Sequence, residues 1–77
     1  MNYVYFLREH HGKLYIGSTN ALRRRIKEHQ KGKPDCKLLA YIAVINESKA
    51  RELEKYFKTG SGRVILKKRI LTDEALA

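Results

Sequence analysis

The chain has 77 residues, of which 17 are Lys or Arg and 8 are Asp or Glu, so its formal net charge is +9. This length suffices for one small domain, and we expect a single domain over residues 1–77 with residues 72–77 as a frayed tail. The charge favours a polyanionic partner such as nucleic acid, although a general role in solubility would also explain it. No apolar run approaches the roughly 20 residues of a membrane span, no secretory signal is visible, and a single cysteine excludes an intrachain disulfide. We therefore predict a cytoplasmic protein without a membrane partner.

Two short tyrosine-bearing runs begin the chain, Tyr3–Leu7 and Leu14–Ile16, and both are rich in β-branched and aromatic residues. The polar stretch 8–13 between them is typical of a hairpin turn. The runs are therefore predicted to form adjacent antiparallel strands, with Tyr5 and Tyr15 as neighbours across the sheet. Cross-strand packing alone would also explain the two tyrosines.

A helix is predicted next, from about Asn20 to Gln30. Two residues at its start can cap a helix, Thr19 and Asn20. Leu22 and Ile26 form a short apolar stripe, and Arg25 and His29 border the same face. A histidine at the edge of a core is often inert, but its pairing with an arginine one turn away also fits a functional site.

The run from Lys37 to Ile45 is apolar nearly throughout, as is typical of a strand covered on both faces. We therefore predict that it is the middle strand of a three-stranded antiparallel sheet. Within it, Tyr41 is expected in the core or on a stacking surface rather than in catalysis. Cys36 has no paired base in the sequence and is expected to be structural.

Asn46 or Ser48 is predicted to cap a second helix that ends near Lys58. Its apolar stripe is formed by Ala50, Leu53 and Phe57. Glu54 falls within this stripe, and a carboxylate is seldom buried without a partner or a metal. Glu54 therefore either reaches past the edge of the core to solvent or has a specific task.

The polar stretch 59–63 is predicted to be a flexible turn before a third helix, Arg63–Leu71. Its backbone amides could receive a phosphate, or the stretch could simply link two helices. Leu66 and Ile70 are expected to face the core. Candidate nucleic-acid-binding residues on the first and third helices are Arg23, Arg24, Lys27, Ser61, Arg63, Lys67 and Lys68.

Five features stand out together: Tyr3-Val4-Tyr5, Tyr15-Ile16-Gly17, Ser18-Thr19-Asn20, the basic first helix and Ala50-x-x-x-Glu54-Lys55. With these motifs the chain resembles the GIY-YIG nuclease superfamily, in particular its small single-domain bacterial members. Tyr3-Val4-Tyr5 stands where the family name has Gly-Ile-Tyr. No asparagine follows Asn46, a region where the family often has one. The resemblance implies an α+β fold, a small three-stranded antiparallel sheet flanked by helices in the order ββαβα plus a C-terminal helix.

The resemblance also implies a metal-dependent endonuclease that hydrolyses phosphodiester bonds, with DNA expected before RNA as substrate and structure-specific repair or recombination as one setting. The implied catalytic residues are Tyr5, Tyr15, Arg25, His29 and Glu54. Glu54 would hold one Mg²⁺ or Mn²⁺, and Arg25 would brace the phosphate. One of the two tyrosines would accept a proton from water, and His29 would relay that proton or orient a tyrosine.

Two other functions fit the sequence: a catalytically idle module that binds DNA or RNA through the same basic groove, and a small adaptor that binds a protein through Tyr41 and the third helix. No small-molecule cofactor is expected, and the oligomeric state is left open, with a monomer compatible. The spacing of His10, His11, His29 and Cys36 does not match a structural zinc site. The paired histidines are expected in the hairpin turn.

Overall fold

The computed structural model describes residues 1–9 and 12–71. The elements in chain order are β1 (Asn2–Arg8), β2 (Leu14–Thr19), α1 (Leu22–Gly32), β3 (Lys37–Val44), α2 (Glu47–Phe57), α3 (Gly60–Ile65) and a π-helical segment (Leu66–Ile70). This order confirms the predicted α+β fold. The expected tail at 72–77 and the expected position of the histidine pair at 10 and 11 lie outside the described residues. None of the helices in the described ranges is long and apolar enough to cross a membrane.

The sheet is antiparallel with the strand order β2-β1-β3, so β1 is central. The prediction that the third strand is the middle one is wrong. β3 lies at an edge, its residues are exposed or half-buried, and Tyr41 is 54% exposed. A chain this short has too little material to cover both faces of every strand, and an apolar run does not by itself show which strand is covered.

Alternate residues of β1 supply two cores on opposite faces of the sheet. On one face Val4 and Phe6 pack against α2 and the π-helical segment, with the rings of Phe6 and Phe57 5.3 Å apart. On the other face a smaller core packs against α1, and it contains Tyr5, Leu7, Cys36, Leu22 and Ile26. The helices α1 and α2 therefore lie on opposite faces. Cys36 is a buried free thiol, in line with a structural role.

The starts of α1 and α2 differ in how they are capped. The Asn46 side chain accepts a hydrogen bond from the Lys49 backbone amide at 2.7 Å, which confirms one of the two predicted caps of α2. α1 begins at Leu22, later than predicted, and Ala21 stands at its N-cap position without a side-chain hydrogen bond. The Thr19 hydroxyl instead accepts from the Ala21 amide at 3.1 Å and so orients the chain just before the helix.

The flexible turn predicted at 59–63 is wrong, because α3 already begins at Gly60. The Thr59 hydroxyl caps it by accepting a hydrogen bond from the Gly62 amide at 3.0 Å. Gly62 is buried, and a Cβ atom there would lie 1.9 Å from the backbone oxygen of Tyr56. The glycine therefore allows close contact between α2 and α3 and does not provide flexibility.

Candidate active site

The site is built around Tyr5 on the central strand. Tyr5 lies opposite Gly17, and Tyr15 lies opposite Leu7, so the two tyrosines are diagonal neighbours on one face with ring centroids 6.1 Å apart. A Cβ atom at Gly17 would lie 2.6 Å from the Tyr5 hydroxyl oxygen. The phenol of Tyr5 therefore lies over a position where only glycine leaves room for it.

His29 of α1 contacts both tyrosines. Its ring centroid lies 4.8 Å from that of Tyr15, and its Nε2 atom lies 3.3 Å from the Tyr5 hydroxyl oxygen. In the tautomer with the proton on Nδ1, the hydroxyl donates this hydrogen bond and Nε2 accepts it. The imidazole is thus fixed between a buried phenol and a more exposed one.

The environment raises the pKa of Tyr5 above the ordinary tyrosine range. Burial is the main cause, because Tyr5 is only 2% exposed, and neighbouring Tyr15 is the next. The charge of Arg25 lowers this pKa and that of Glu54 raises it, so both charges lie within electrostatic range of Tyr5. Tyr5 therefore remains a neutral phenol that can donate a hydrogen bond, whereas Tyr15, at 37% exposure, can meet water.

Glu54 of α2 is a fixed carboxylate. Its Oε1 accepts a hydrogen bond from the Ser18 hydroxyl at 2.7 Å, and its Oε2 accepts one from the Lys58 ammonium at 2.8 Å. Partial burial acts to raise the pKa of Glu54, but the bonds from Lys58 and Ser18 outweigh it and hold the pKa below the usual glutamate value. Glu54 is therefore ionised at neutral pH, and its side chain is only 26% exposed.

The site wraps around the free edge of β2. Tyr15 lies on the face that α1 covers, whereas Ser18 lies on the opposite face, where it contacts α2. A cavity of about 290 Å³ adjoins this edge, and its lining includes Ser18, Asn20, Arg25 and Arg51. Arg25 pairs weakly with Glu28 at 4.0 Å and leaves 46% of its side chain exposed. An anion in this cavity could therefore contact both Arg25 and Ser18, and the Ser18 hydroxyl also donates a hydrogen bond to Glu54.

The donor set fits a hydrated divalent cation. Within residues 1–9 and 12–71, no group of three or more His, Cys, Asp and Glu side chains could enclose a metal ion. Glu54 supplies hard oxygen ligands, and each of its oxygens has a lone pair left after its hydrogen bond to Ser18 or Lys58. One carboxylate suits an ion such as Mg²⁺, which retains several waters.

Sequence reasoning missed several residues that shape the site. Lys58 follows Glu54 by one helical turn, so its ion pair could have been found from the spacing. Ser18 lies 36 residues from Glu54, and no local pattern joins them. Gly17 was expected to end its strand where the backbone turns or closely approaches another group, and the Tyr5 phenol is such a group. Arg51 was given no role.

The predicted nucleic-acid-binding residues lie in two places. The first group, Arg23, Arg24 and Lys27, lies exposed on α1. The second group is exposed on α3 and the π-helical segment, on the sheet face opposite α1, and comprises Ser61, Arg63, Lys67 and Lys68. The structure does not bring the second group to the edge of β2, and its contact with nucleic acid stays a prediction.

Comparison with known proteins identifies the family of the chain. A family model described as the GIY-YIG catalytic domain matches residues 1–69, a range that includes the tyrosines, His29, Arg25 and Glu54. The solution NMR structure of the UPF0213 protein BH0048 from Bacillus halodurans is similar, with a TM-score of 0.67 and 26% sequence identity over 99% of this chain and 93% of that chain. No curated protein matches the sequence. The chain therefore belongs to the GIY-YIG nuclease family, whose members generally use divalent metal ions and act on nucleic acid.

Proposed function

We propose that the protein is a divalent-metal-dependent endonuclease that hydrolyses phosphodiester bonds in nucleic acid, in DNA before RNA. One observation carries the proposal: of five side chains suited to this chemistry, three are in mutual contact beside β2, and the other two border Ser18 of that strand, one through a shared cavity and one through a hydrogen bond. The five are Tyr5, Tyr15, Arg25, His29 and Glu54. Phosphodiester hydrolysis needs an activated water, positive charge near the phosphoryl oxygens and stabilisation of the leaving oxygen. These side chains offer groups for each requirement.

Tyr15 is the better candidate to accept the proton of the attacking water. It is 37% exposed, whereas Tyr5 is 2% exposed and its pKa is raised by burial. The positive charge of Arg25 would stabilise the phenolate that forms when the proton is accepted. His29 would orient the Tyr15 ring, and Tyr5 would fix His29 through its hydroxyl.

Glu54 would hold one Mg²⁺ or Mn²⁺ ion. When bound, the ion would supply positive charge to the phosphate and to the departing 3′ oxygen. Ser18 and Lys58 keep the carboxylate ionised and oriented, each through one hydrogen bond. Arg25 would contact a non-bridging phosphate oxygen and hold the substrate against the edge of β2.

A non-catalytic nucleic-acid-binding module is the second candidate. It is favoured by the single carboxylate in the site and by the absence of an asparagine after Asn46. Incubation of the protein with labelled single-stranded, duplex and branched DNAs and RNAs, with Mg²⁺ or Mn²⁺ and with EDTA as control, tests both. Cleavage that EDTA stops supports the nuclease, and binding without cleavage of any substrate selects the module.

Arg25→Ala is expected to weaken substrate binding and to lower the cleavage rate at saturation by roughly 10²–10³-fold, the usual effect of removing a group that stabilises transition-state charge. Arg24→Ala is the matched control, because Arg24 is a neighbouring arginine with a 71% exposed side chain. It should alter affinity at most. Single-turnover cleavage at saturating protein separates the two effects, and equal rates for both variants would remove Arg25 from the reaction.

Gly17→Ala is expected to lower the cleavage rate by about 10²-fold, because a misplacement of about 1 Å in an active site can have this effect. The new methyl group would lie 2.6 Å from the Tyr5 hydroxyl and 3.0 Å from Cε1 of Tyr15, so both rings must move. Gly32→Ala is the control, since nothing lies within 4 Å of a Cβ atom there. Unchanged cleavage by folded Gly17→Ala protein would mean that the tyrosine positions do not matter for the rate.

A further inference from the structure

The two flanks of α1 face different parts of the sheet. At about 100° per residue, Arg25 and His29 lie on one side of the Leu22–Ile26 stripe, and Arg23 and Lys27 lie on the other. A cavity of about 150 Å³ follows the first flank and is lined by Arg25, Glu28 and His29. The second flank faces the sheet near β3, where the candidate active site has no residue.

A groove runs along this second flank. It consists of two adjoining cavities of about 670 and 510 Å³, which share Leu22, Arg23 and Lys27. Tyr3 and Asn20 line the first cavity, and Leu38 lines the second. Since Tyr3 belongs to β1 and Leu38 to β3, we call this feature the α1–β3 groove.

The ring of Tyr3 lines the α1–β3 groove, and the ring of Tyr41 packs against it outside the lining. Tyr3, in its lining, packs edge to face against Tyr41 of β3, with ring centroids 5.9 Å apart and an interplanar angle of 71°. Tyr41 pairs with Tyr5 across the sheet and so lies on the face that α1 covers, yet it is 54% exposed. A tyrosine held in this way offers its ring to a planar partner, and nucleobases stack on such rings whatever their sequence.

The wall of the groove is basic. Arg23 and Lys27 are both exposed, and within the part of the chain that the structure describes neither forms an ion pair. Glu28, the one acidic residue of α1, lies on the other side of the helix and pairs with Arg24 and Arg25. The groove and the Tyr41 ring beside it therefore combine a stacking surface with positive charge that is not already neutralised, as single-strand binding sites do.

Asn20 joins the groove to the candidate active site. It lines both the first cavity of the groove and the cavity that contains Arg25 and Arg51. A nucleic-acid segment that passes from Arg25 into the groove must turn over the start of α1, a helix about 10–12 Å across. Duplex DNA, with a persistence length of about 50 nm, is too stiff for this turn, whereas a single strand can make it.

We infer that the α1–β3 groove binds an unpaired segment of the substrate next to the cut, with one base stacked on Tyr41 and the adjoining phosphates against Arg23 and Lys27. The inference rests on the proposed function for the position of the cut. It makes the preferred substrate a nucleic acid with a single-stranded flank, and the recognised chemistry, an unpaired base between phosphates, is common to DNA and RNA.

The test measures binding without metal, so that it does not depend on cleavage. Fluorescence anisotropy in EDTA compares a labelled single-stranded oligonucleotide with a blunt duplex of the same sequence, each as DNA and as RNA. Tyr41→Ala should weaken single-strand binding by about tenfold or more and change duplex binding by less than about twofold. Tyr41→Phe should retain wild-type affinity, because it keeps the ring. Tyr56→Ala, which removes a 42% exposed tyrosine from α2, is the control and should have no effect.

A second measurement places the base directly. A 2-aminopurine base in the single strand should change its fluorescence when it stacks on the wild-type ring, and Tyr41→Ala should abolish this change. Arg23→Ala with Lys27→Ala should flatten the salt dependence of single-strand binding by about 1.4 log units per log unit of salt, the value for two lost phosphate contacts.

Equal single-strand affinity for wild type and Tyr41→Ala, or equal losses for single strand and duplex, would overturn the inference. Its failure is distinguishable from failure of the proposed function. If the wild type cleaves and Tyr41→Ala binds single strands as tightly as the wild type, the groove inference is rejected and the nuclease function is kept. If the wild type binds single strands selectively but cleaves nothing, the groove inference is kept and the nuclease function is rejected.

Discussion

Glu54→Ala is expected to reduce metal-dependent cleavage to the level seen with EDTA, while nucleic-acid affinity stays equal or rises slightly. The substitution removes the carboxylate that we assign to the metal, and it also removes a negative charge that faces phosphate. The measurement is cleavage of the best substrate at increasing Mg²⁺ or Mn²⁺, together with affinity in EDTA.

Glu52→Ala is the matched control for Glu54→Ala. Glu52 is a carboxylate on the same helix with a 68% exposed side chain, paired with Lys49. Its removal should leave cleavage unchanged. If freshly purified Glu54→Ala protein, free of contaminating nuclease, cleaved at the wild-type rate, the carboxylate would be structural and the metal would bind elsewhere.

Gly62→Ala is expected to have the largest effect on stability. The new methyl group would lie 1.9 Å from the Tyr56 backbone oxygen and 2.8 Å from the Phe57 Cα atom, so α2 and α3 must move apart. Overpacking of this kind costs about 1–3 kcal/mol, which for so small a domain lowers the thermal midpoint by roughly 5–20 °C. Thermal unfolding followed by circular dichroism measures the change.

Gly60→Ala separates packing from helix propensity. Both glycines belong to α3, but nothing lies within 4 Å of a Cβ atom at Gly60. Alanine favours a helix over glycine by up to about 1 kcal/mol, so this variant should be as stable as wild type or slightly more so. Similar midpoints for the two variants would show that α2 and α3 are not in close contact at Gly62.

The sequence predicted the features that depend on near neighbours. Asn46 has the side chain that a cap needs, and Glu54 stands out because it interrupts an apolar stripe. The diagonal pairing of Tyr5 and Tyr15 follows from a short hairpin with alternating faces. In each case the relevant contacts lie within one helix or one pair of strands, where periodicity constrains them.

The errors arose where distant segments decide the outcome. The place of β3 in the sheet depends on its pairing with β1 across 29 to 42 residues of chain, and an apolar run contains no information about that pairing. Gly60 and Gly62 indicated a turn because glycine is common in turns, whereas Gly62 is required by the approach of Tyr56. The hydroxyl of Thr59 was the local sign that a helix begins there.

The way α1 is attached to the sheet has a consequence for motion. The helix has no fully buried residue and is anchored mainly by the half-buried Leu22 and Ile26 against the smaller core. Segments with few buried contacts open locally at a lower free energy than global unfolding, so the amide hydrogens of α1 should exchange with solvent faster than those of β1. α1 carries Arg25, His29 and the basic wall of the α1–β3 groove. One opening event would therefore move Arg25 and His29 away from the tyrosines and widen the groove for a nucleic-acid strand. A helix that is weakly anchored to the sheet would then be the part that opens to admit the substrate and closes over it.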